Sequence, residues 1–135
     1  MKVKIVLRPI TKDDLSWARK IRNENRQYFI YNKLISEEEQ KKWFETLSYP
    51  FFIITIGAEK IGTIAVEEVH GRLEVHNAVI EETYRRKGVL REALSLLEKK
   101  FKKELYIEVL KDNKRAIDAY KKLGFSVVSY RMKKQ

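Results

Sequence analysis

Apolar and polar positions alternate from Lys2 to Leu7, with Val3, Ile5 and Leu7 on one face, which predicts a first strand ended by Pro9. The period then lengthens. Thr11 and Asp14 form a capping-box pattern, and Leu15, Ala18 and Ile21 with Trp17 give a helical stripe to about Arg22. Residues 23–33 are polar with Tyr28, Phe29 and Tyr31 embedded, which fits an irregular loop or a frayed helix end. Ser36-Glu37-Glu38-Glu39 is a stronger capping box, and Trp43, Phe44 and Leu47 supply the apolar face of a second helix before Pro50.

From Phe51 the pattern turns apolar and β-branched. Phe51 to Ile56 and Lys60 to Val69 read as a hairpin turning near Gly57, and His70-Gly71-Arg72 leads into a further strand, Leu73 to Ile80. A helix follows from Val89 to about Lys100, with Val89, Ala93, Leu94, Leu97 and Phe101 on its buried stripe. Leu105 to Leu110 is a short strand interrupted by Glu108. Asn113 to Leu123 is a helix ended by Gly124, and Phe125 to Met132 is a last strand before a basic tail. The order β-α-α-β-β-β-α-β-α-β predicts an α/β fold, a mixed β-sheet flanked by helices.

A chain of 135 residues suits one domain spanning 1–135, with its site inside that core or at an oligomer interface, so a homodimer stays open. The absence of cysteine excludes a disulfide framework, a thiolate metal site and a Cys nucleophile. Two histidines are too few for a histidine metal cluster, so no metal is expected. The longest apolar run, Phe51 to Ile56, is too short for a membrane span, and no signal-peptide pattern stands at the N-terminus; a cytoplasmic protein is expected. The net charge of +10 is uneven, with 16 Lys/Arg against 8 Asp/Glu in residues 81–135. Such a field suits nucleic acid, an acidic membrane surface or a phosphorylated small molecule.

Tyr84-Arg85-Arg86-Lys87-Gly88-Val89-Leu90 narrows that choice. A basic, glycine-bearing turn enters a helix directly after a strand, and the first amides of a helix have no intrahelical acceptor. This is an anion site, most simply for a pyrophosphate.

The turn, together with Asn113, Ala116, Ala119, Tyr120 and Gly124-Phe125 at the spacing in this chain, resembles the GCN5-related N-acetyltransferase (GNAT) superfamily, most strongly over residues 74–125. The resemblance implies the acetyltransferase fold and acetyl transfer from acetyl-CoA, as co-substrate, to an amine. It assigns the coenzyme pyrophosphate to Arg85, Arg86, Lys87, Gly88, Val89 and Leu90. The pantetheine arm falls to Ala78, Val79 and Ile80 where the fourth and fifth strands splay, with Asn113 on the same arm. Leu90 stands where the family usually has a small residue, and amide donation there requires that its side chain point into the core.

Amine attack on a thioester needs a base, an acid and an oxyanion donor. The resemblance makes Tyr120 the acid. Glu108, in an otherwise apolar strand, is expected to be partly desolvated and ranks first as base; Glu74, at the position used by histone-type members, ranks second, and His76 third. Residues two apart share a strand face, so Glu74, His76 and Ala78 are expected to point the same way. A backbone amide of the fourth strand is the expected oxyanion donor. In the family the early segment forms the acceptor wall, which makes Arg22, Asn23, Tyr28 and Tyr31 candidate acceptor contacts. That segment resembles enzymes acting on nucleotide-linked amino sugars and on ribosomal-protein N-termini, and a basic wall favours the former. The competing reading is a non-catalytic basic module for RNA or acidic partners; the lack of a nucleic-acid signature argues against it.

Overall fold

The computed structural model describes residues 4–135, so Lys2 and Val3 of the expected first strand lie outside the described residues. Strand β1 (Val6–Pro9) carries Pro9 as its last residue. A 3-10 turn, Lys12–Asp14, capped by Thr11, feeds α1 (Leu15–Glu24), which buries Ala18 and Ile21. Helix α2 (Glu37–Glu45) starts at the expected box: Glu39 N–H donates to Ser36 Oγ at 3.1 Å, and Ser36 N–H to Glu39 Oε1 at 3.2 Å. Strands β2 (Phe51–Ile56), β3 (Glu59–Val69) and β4 (Arg72–Ile80) form a meander. Helix α3 (Val89–Phe101), β5 (Leu105–Ile107) and α4 (Lys114–Lys122) complete the regular elements.

The strands lie in the order β1-β2-β3-β4-β5, antiparallel except for the parallel β4/β5 pair. Both faces are covered, which explains the unbroken apolar run of β2. Phe52 and Ile54 join Ile64, Val66, Leu73, Val75 and the α3 stripe, whereas Phe51 and Ile53 pack with Trp17 and Trp43 of α1 and α2. Asp14, 2% exposed, locks the N-terminal layer: it accepts two bonds from the Arg8 guanidinium at 2.8 Å, one from Thr11 N–H at 2.8 Å, and faces Lys60 Nζ at 2.9 Å. These donors hold its carboxyl well below the usual carboxylate range, the Arg8 hydrogen bonds foremost.

Three expectations are corrected. Strand β5 ends at Ile107, so its partnership with β4 stops at Val75 and the C-terminal half of β4 is open on that side. Phe125 to Met132 forms no strand: no backbone hydrogen bond joins residues 126–135 to the rest of the described chain, and a strand requires a neighbour to satisfy its ladder. Ala78 does not share a face with Glu74 and His76. In the β3/β4 ladder Thr63 pairs Val79 and Ala65 pairs His76, so Asn77 and Ala78 together face Ile64. This is a β-bulge, with Asn77 at φ +51°, and its extra residue shifts the alternation by one. Ala78 and Ile80 accordingly pack on the α3 side with Leu73 and Val75.

Candidate active site

The splay of β4 from β5 opens a cleft of about 1360 Å³ that runs from the start of α3 to the outer end of β5. At its inner end Gly88 caps α3 with φ +81°, a left-handed conformation that a Cβ would strain, and Arg86 precedes it at φ +62°. No side chain caps this helix, so the amides of its first turn are left to a ligand. Leu90 packs partly against the core, the orientation that leaves those amides open. Arg86, Gly88, Val89, Leu90 and Arg91 line this end. The turn, its positive charge and the open edge of β4 fit a pyrophosphate with an extended amide arm.

Two basic residues of the turn have other partners. Arg85 Nε donates to Ile80 O at 3.0 Å and Nη2 to Asn25 Oδ1 at 2.7 Å, which ties the turn to the end of β4 and to α1. Lys87 lies over the Tyr84 ring, 5.7 Å from its centroid, and is not a cleft residue. Tyr84 in turn donates to Glu59 Oε2 at 2.6 Å, anchoring the turn to the start of β3.

Ala78, Val79 and Ile80 line the middle of the cleft, opposite Asn113 and Tyr120 from the α4 side. Asn113 Oδ1 accepts from Ala116 N–H at 3.2 Å as the cap of α4, leaving its NH₂ as the group free to meet a ligand. Tyr120 packs edge-on against Phe125, with ring centroids 5.6 Å apart. Burial pushes its phenol up to about 12, so it stays protonated at any physiological pH. Its hydroxyl has no protein partner among the described residues, yet it is not a buried unsatisfied group; it reaches the cleft.

The outer end of the cleft gathers three carboxylates, Glu67, Glu74 and Glu108, each beside a basic side chain. Glu67 and Glu74 are cross-strand partners, His76 Nε2 lies 3.0 Å from Glu67 Oε1, and the Tyr49 ring packs 5.6 Å from that imidazole. Glu74 accepts from Arg72 Nε at 3.1 Å. Glu108 is exposed, not desolvated as expected, because β5 ends before it, and Arg131 contacts both its oxygens at 3.3 and 3.4 Å. Tyr28 and Tyr31 line this cleft and are about half exposed.

Arg22 and Asn23 do not line this cleft. The Arg22 guanidinium donates to the carbonyls of Tyr31 and Lys33 and stacks on Phe29 and Tyr31, while Asn23 bonds both N–H and C=O of Ile35 at 3.0 Å. Both residues clamp the loop that carries the tyrosines. Sequence reasoning missed Asn25, Tyr49 and Glu67, for no motif marks them; Glu67 alone was accessible, as an acid at a cross-strand position once the hairpin is drawn.

The sequence profile of the acetyltransferase (GNAT) family matches residues 18–125. Spermidine N(1)-acetyltransferase from Escherichia coli is 28% identical over 146 residues, covering 91% of this chain and 73% of that protein. Among solved structures, an acetyltransferase from Thermus thermophilus superposes with a TM-score of 0.77 at 19% identity, covering 93% and 89% of the two chains. The ribosomal-protein-S18-alanine N-acetyltransferase from Escherichia coli gives 0.69 at 23% identity, covering 93% and 80%.

Proposed function

The chain belongs to the acetyltransferase (GNAT) family and is an N-acetyltransferase that uses acetyl-CoA as donor; from that premise we propose that its acceptor is a cationic primary amine of the polyamine kind. One observation carries this reading: Glu67, Glu74 and Glu108 gather at the outer end of the cleft, while Arg22, the cation expected to meet an anionic acceptor, is held by backbone carbonyls. Each carboxylate has a basic neighbour, His76, Arg72 or Arg131, whose place an incoming ammonium would take. The spermidine acetyltransferase among the relatives supports the same class. A nucleotide-linked amino sugar would bring its phosphates toward these carboxylates, and the carboxylates disfavour it.

The thioester supplies an activated acyl carbon and a thiolate leaving group. In our reading the α3 first-turn amides hold the pyrophosphate, Ala78 to Ile80 and the Asn113 amide hold the arm, and Tyr28 and Tyr31 flank the acceptor. Glu108 takes the ammonium proton, directly or through water, when the acceptor displaces Arg131; Glu74 orients the amine. The Ala78 amide, at the bulge on the open side of β4, stabilises the oxyanion. Tyr120 Oη–H donates to the departing sulfur.

An amine panel tests the acceptor: spermidine, an alanine-terminated peptide and a uridine-diphosphate amino sugar, with thiol release as readout. Two rim ion pairs at about 0.5–1 kcal/mol each favour spermidine by about tenfold or more in kcat/KM. A preference for the sugar nucleotide would overturn the reading, and a preference for the peptide would move it to N-terminal acetylation. Glu108→Gln lowers kcat about 100-fold or more, the contribution of a general base. A larger loss in Glu74→Gln would transfer the base to β4.

A further inference from the structure

Strand β3 is buried from Ile61 to Val66, and Thr63, 3% exposed, carries the one hydroxyl in that run. A valine would fill the same volume with no polar group to satisfy, so the partner of this hydroxyl is informative. Oγ1 donates to the Asn77 carbonyl at 2.7 Å. That carbonyl belongs to the peptide unit joining Asn77 to Ala78, which is the bulge itself.

The bulge is pinned at both ends. Ala65 pairs His76 before it, Thr63 pairs Val79 after it, and Glu81 N–H donates to Ile61 O at 2.8 Å further on. Gly62 lets β4 approach closely, for a Cβ there would lie 2.5 Å from Val79 O. With its flanks fixed, the 77–78 peptide plane can still turn, by opposite changes of the Asn77 ψ and the Ala78 φ. Asn77, at φ +51°, stands in the left-handed region that glycine and short polar residues adopt most readily.

Holding the carbonyl of this unit also aims its amide. A trans peptide is planar, with C=O and N–H pointing to opposite sides, and the described chain has no cis bond. Thr63 draws the carbonyl toward β3. The Ala78 N–H is therefore turned away from β3, to the side where β5 pairs with β4 only as far as Val75. That side is the cleft, which Asn77 and Ala78 both line.

We propose that Thr63 is a positioning residue of the acetyl transfer: its hydroxyl holds the bulge peptide in the orientation that aims the Ala78 amide at the thioester carbonyl. Thr63 itself does not line this cleft and acts through Asn77. Hydrogen bonds in series polarise one another, so the bond to the Asn77 carbonyl also makes the Ala78 amide a stronger donor as negative charge builds on the thioester oxygen. The inference rests on the reading of that amide as oxyanion donor and adds what sets its direction.

Thr63→Val removes the hydroxyl and keeps the volume, whereas Thr63→Ser keeps the hydroxyl. Acetyl-CoA isotope-labelled at the thioester carbonyl is bound to each protein without amine, and the infrared stretch of that carbonyl is recorded beside kcat and both KM values. In the unaltered protein and in Thr63→Ser the stretch is expected at lower wavenumber than in free acetyl-CoA, the mark of a donated hydrogen bond. In Thr63→Val it should return toward the free value. Losing an oxyanion donor outright costs about 100- to 1000-fold in kcat and a misaimed one costs less, so Thr63→Val should lose about 10- to 100-fold with KM for the amine held. A merely structural Thr63 would lower the melting temperature of Thr63→Val and leave the stretch and kcat at their unaltered values, which would overturn the proposal. Equal losses in Thr63→Val and Thr63→Ser would overturn it too. If Thr63→Val does not fold, Thr63→Ala, which adds no atoms, makes the same comparison with Thr63→Ser. A stretch in the unaltered protein identical to that of free acetyl-CoA would remove the oxyanion role of Ala78 and this proposal with it; a lowered stretch that persists in Thr63→Val would remove the positioning role alone.

Discussion

Replacing Tyr120 by Phe removes one hydroxyl that has no protein partner among the described residues, so the fold loses no hydrogen bond and stability should stay within about 0.5 kcal/mol of the parent. Catalysis should not be spared. Burial holds the phenol at about 12, against about 8.5 for an ordinary thiol, so complete proton transfer to the departing thiolate is uphill by about 5 kcal/mol. The group therefore works as a hydrogen-bond donor to developing negative charge, which is worth about 1.5–3 kcal/mol. Tyr120→Phe should lower kcat by about 10- to 150-fold with both KM values held, measured by thiol release at saturating substrates. The sign of its pH effect follows from the raised value. Below the unfolded tyrosine value of about 10 its stabilising contribution is complete, and it is lost as pH rises through about 12, where the folded group finally ionises. The Phe variant should lose one residue's share of the delayed tyrosinate absorbance, while Tyr84, which its hydrogen bond to Glu59 also raises, keeps its own. Unchanged kcat in Tyr120→Phe, or a falling rate limb near pH 10 that the substitution abolishes, would refute this account.

Asp14→Asn leaves Arg8 and Lys60 facing a neutral amide in a nearly closed site and should cost about 3 kcal/mol in denaturant unfolding. Asp14 has a depressed folded value, so its contribution is present above about pH 4 and fades as pH falls toward that folded value; the Asn variant should lose less stability over the same acid range. Gly62→Ala puts a Cβ 2.5 Å from Val79 O, a backbone atom that can retreat only if β4 shifts, so thermal unfolding should drop and acetyl-CoA affinity should fall with it. Retained affinity at a lowered melting temperature would separate the β3/β4 register from the coenzyme arm.

Element positions were legible because their causes are short-range. The Ser36 capping box places α2, Gly88 with its basic neighbours places the start of α3, and Asn113 with Gly124 brackets α4. The stretch at residues 23–33 was less so. Helix α1 runs on to Glu24, a 3-10 turn, Arg26–Tyr28, follows, and the loop after it is held by Arg22 and Asn23, whose partners are backbone groups of Tyr31, Lys33 and Ile35, up to 12 residues away. Glu108 reads as an acid in an apolar strand, but its exposure depends on where β5 leaves the sheet and on Arg131, 23 residues later.

Periodicity and capping act within a few residues, so the helices, the meander, the phosphate turn and the set of available chemical groups all follow from the order of the amino acids. How those groups are aimed is a property of the folded chain. The bulge at Asn77, where Thr63 Oγ1 donates to the Asn77 carbonyl at 2.7 Å, turns Ala78 away from Glu74 and His76. Arg85 meets Asn25 across 60 residues, and Glu67 meets His76 across a hairpin. The tail remains strand-like in sequence and unpaired among the described residues for the same reason: a strand is completed by its neighbour, which no local pattern specifies.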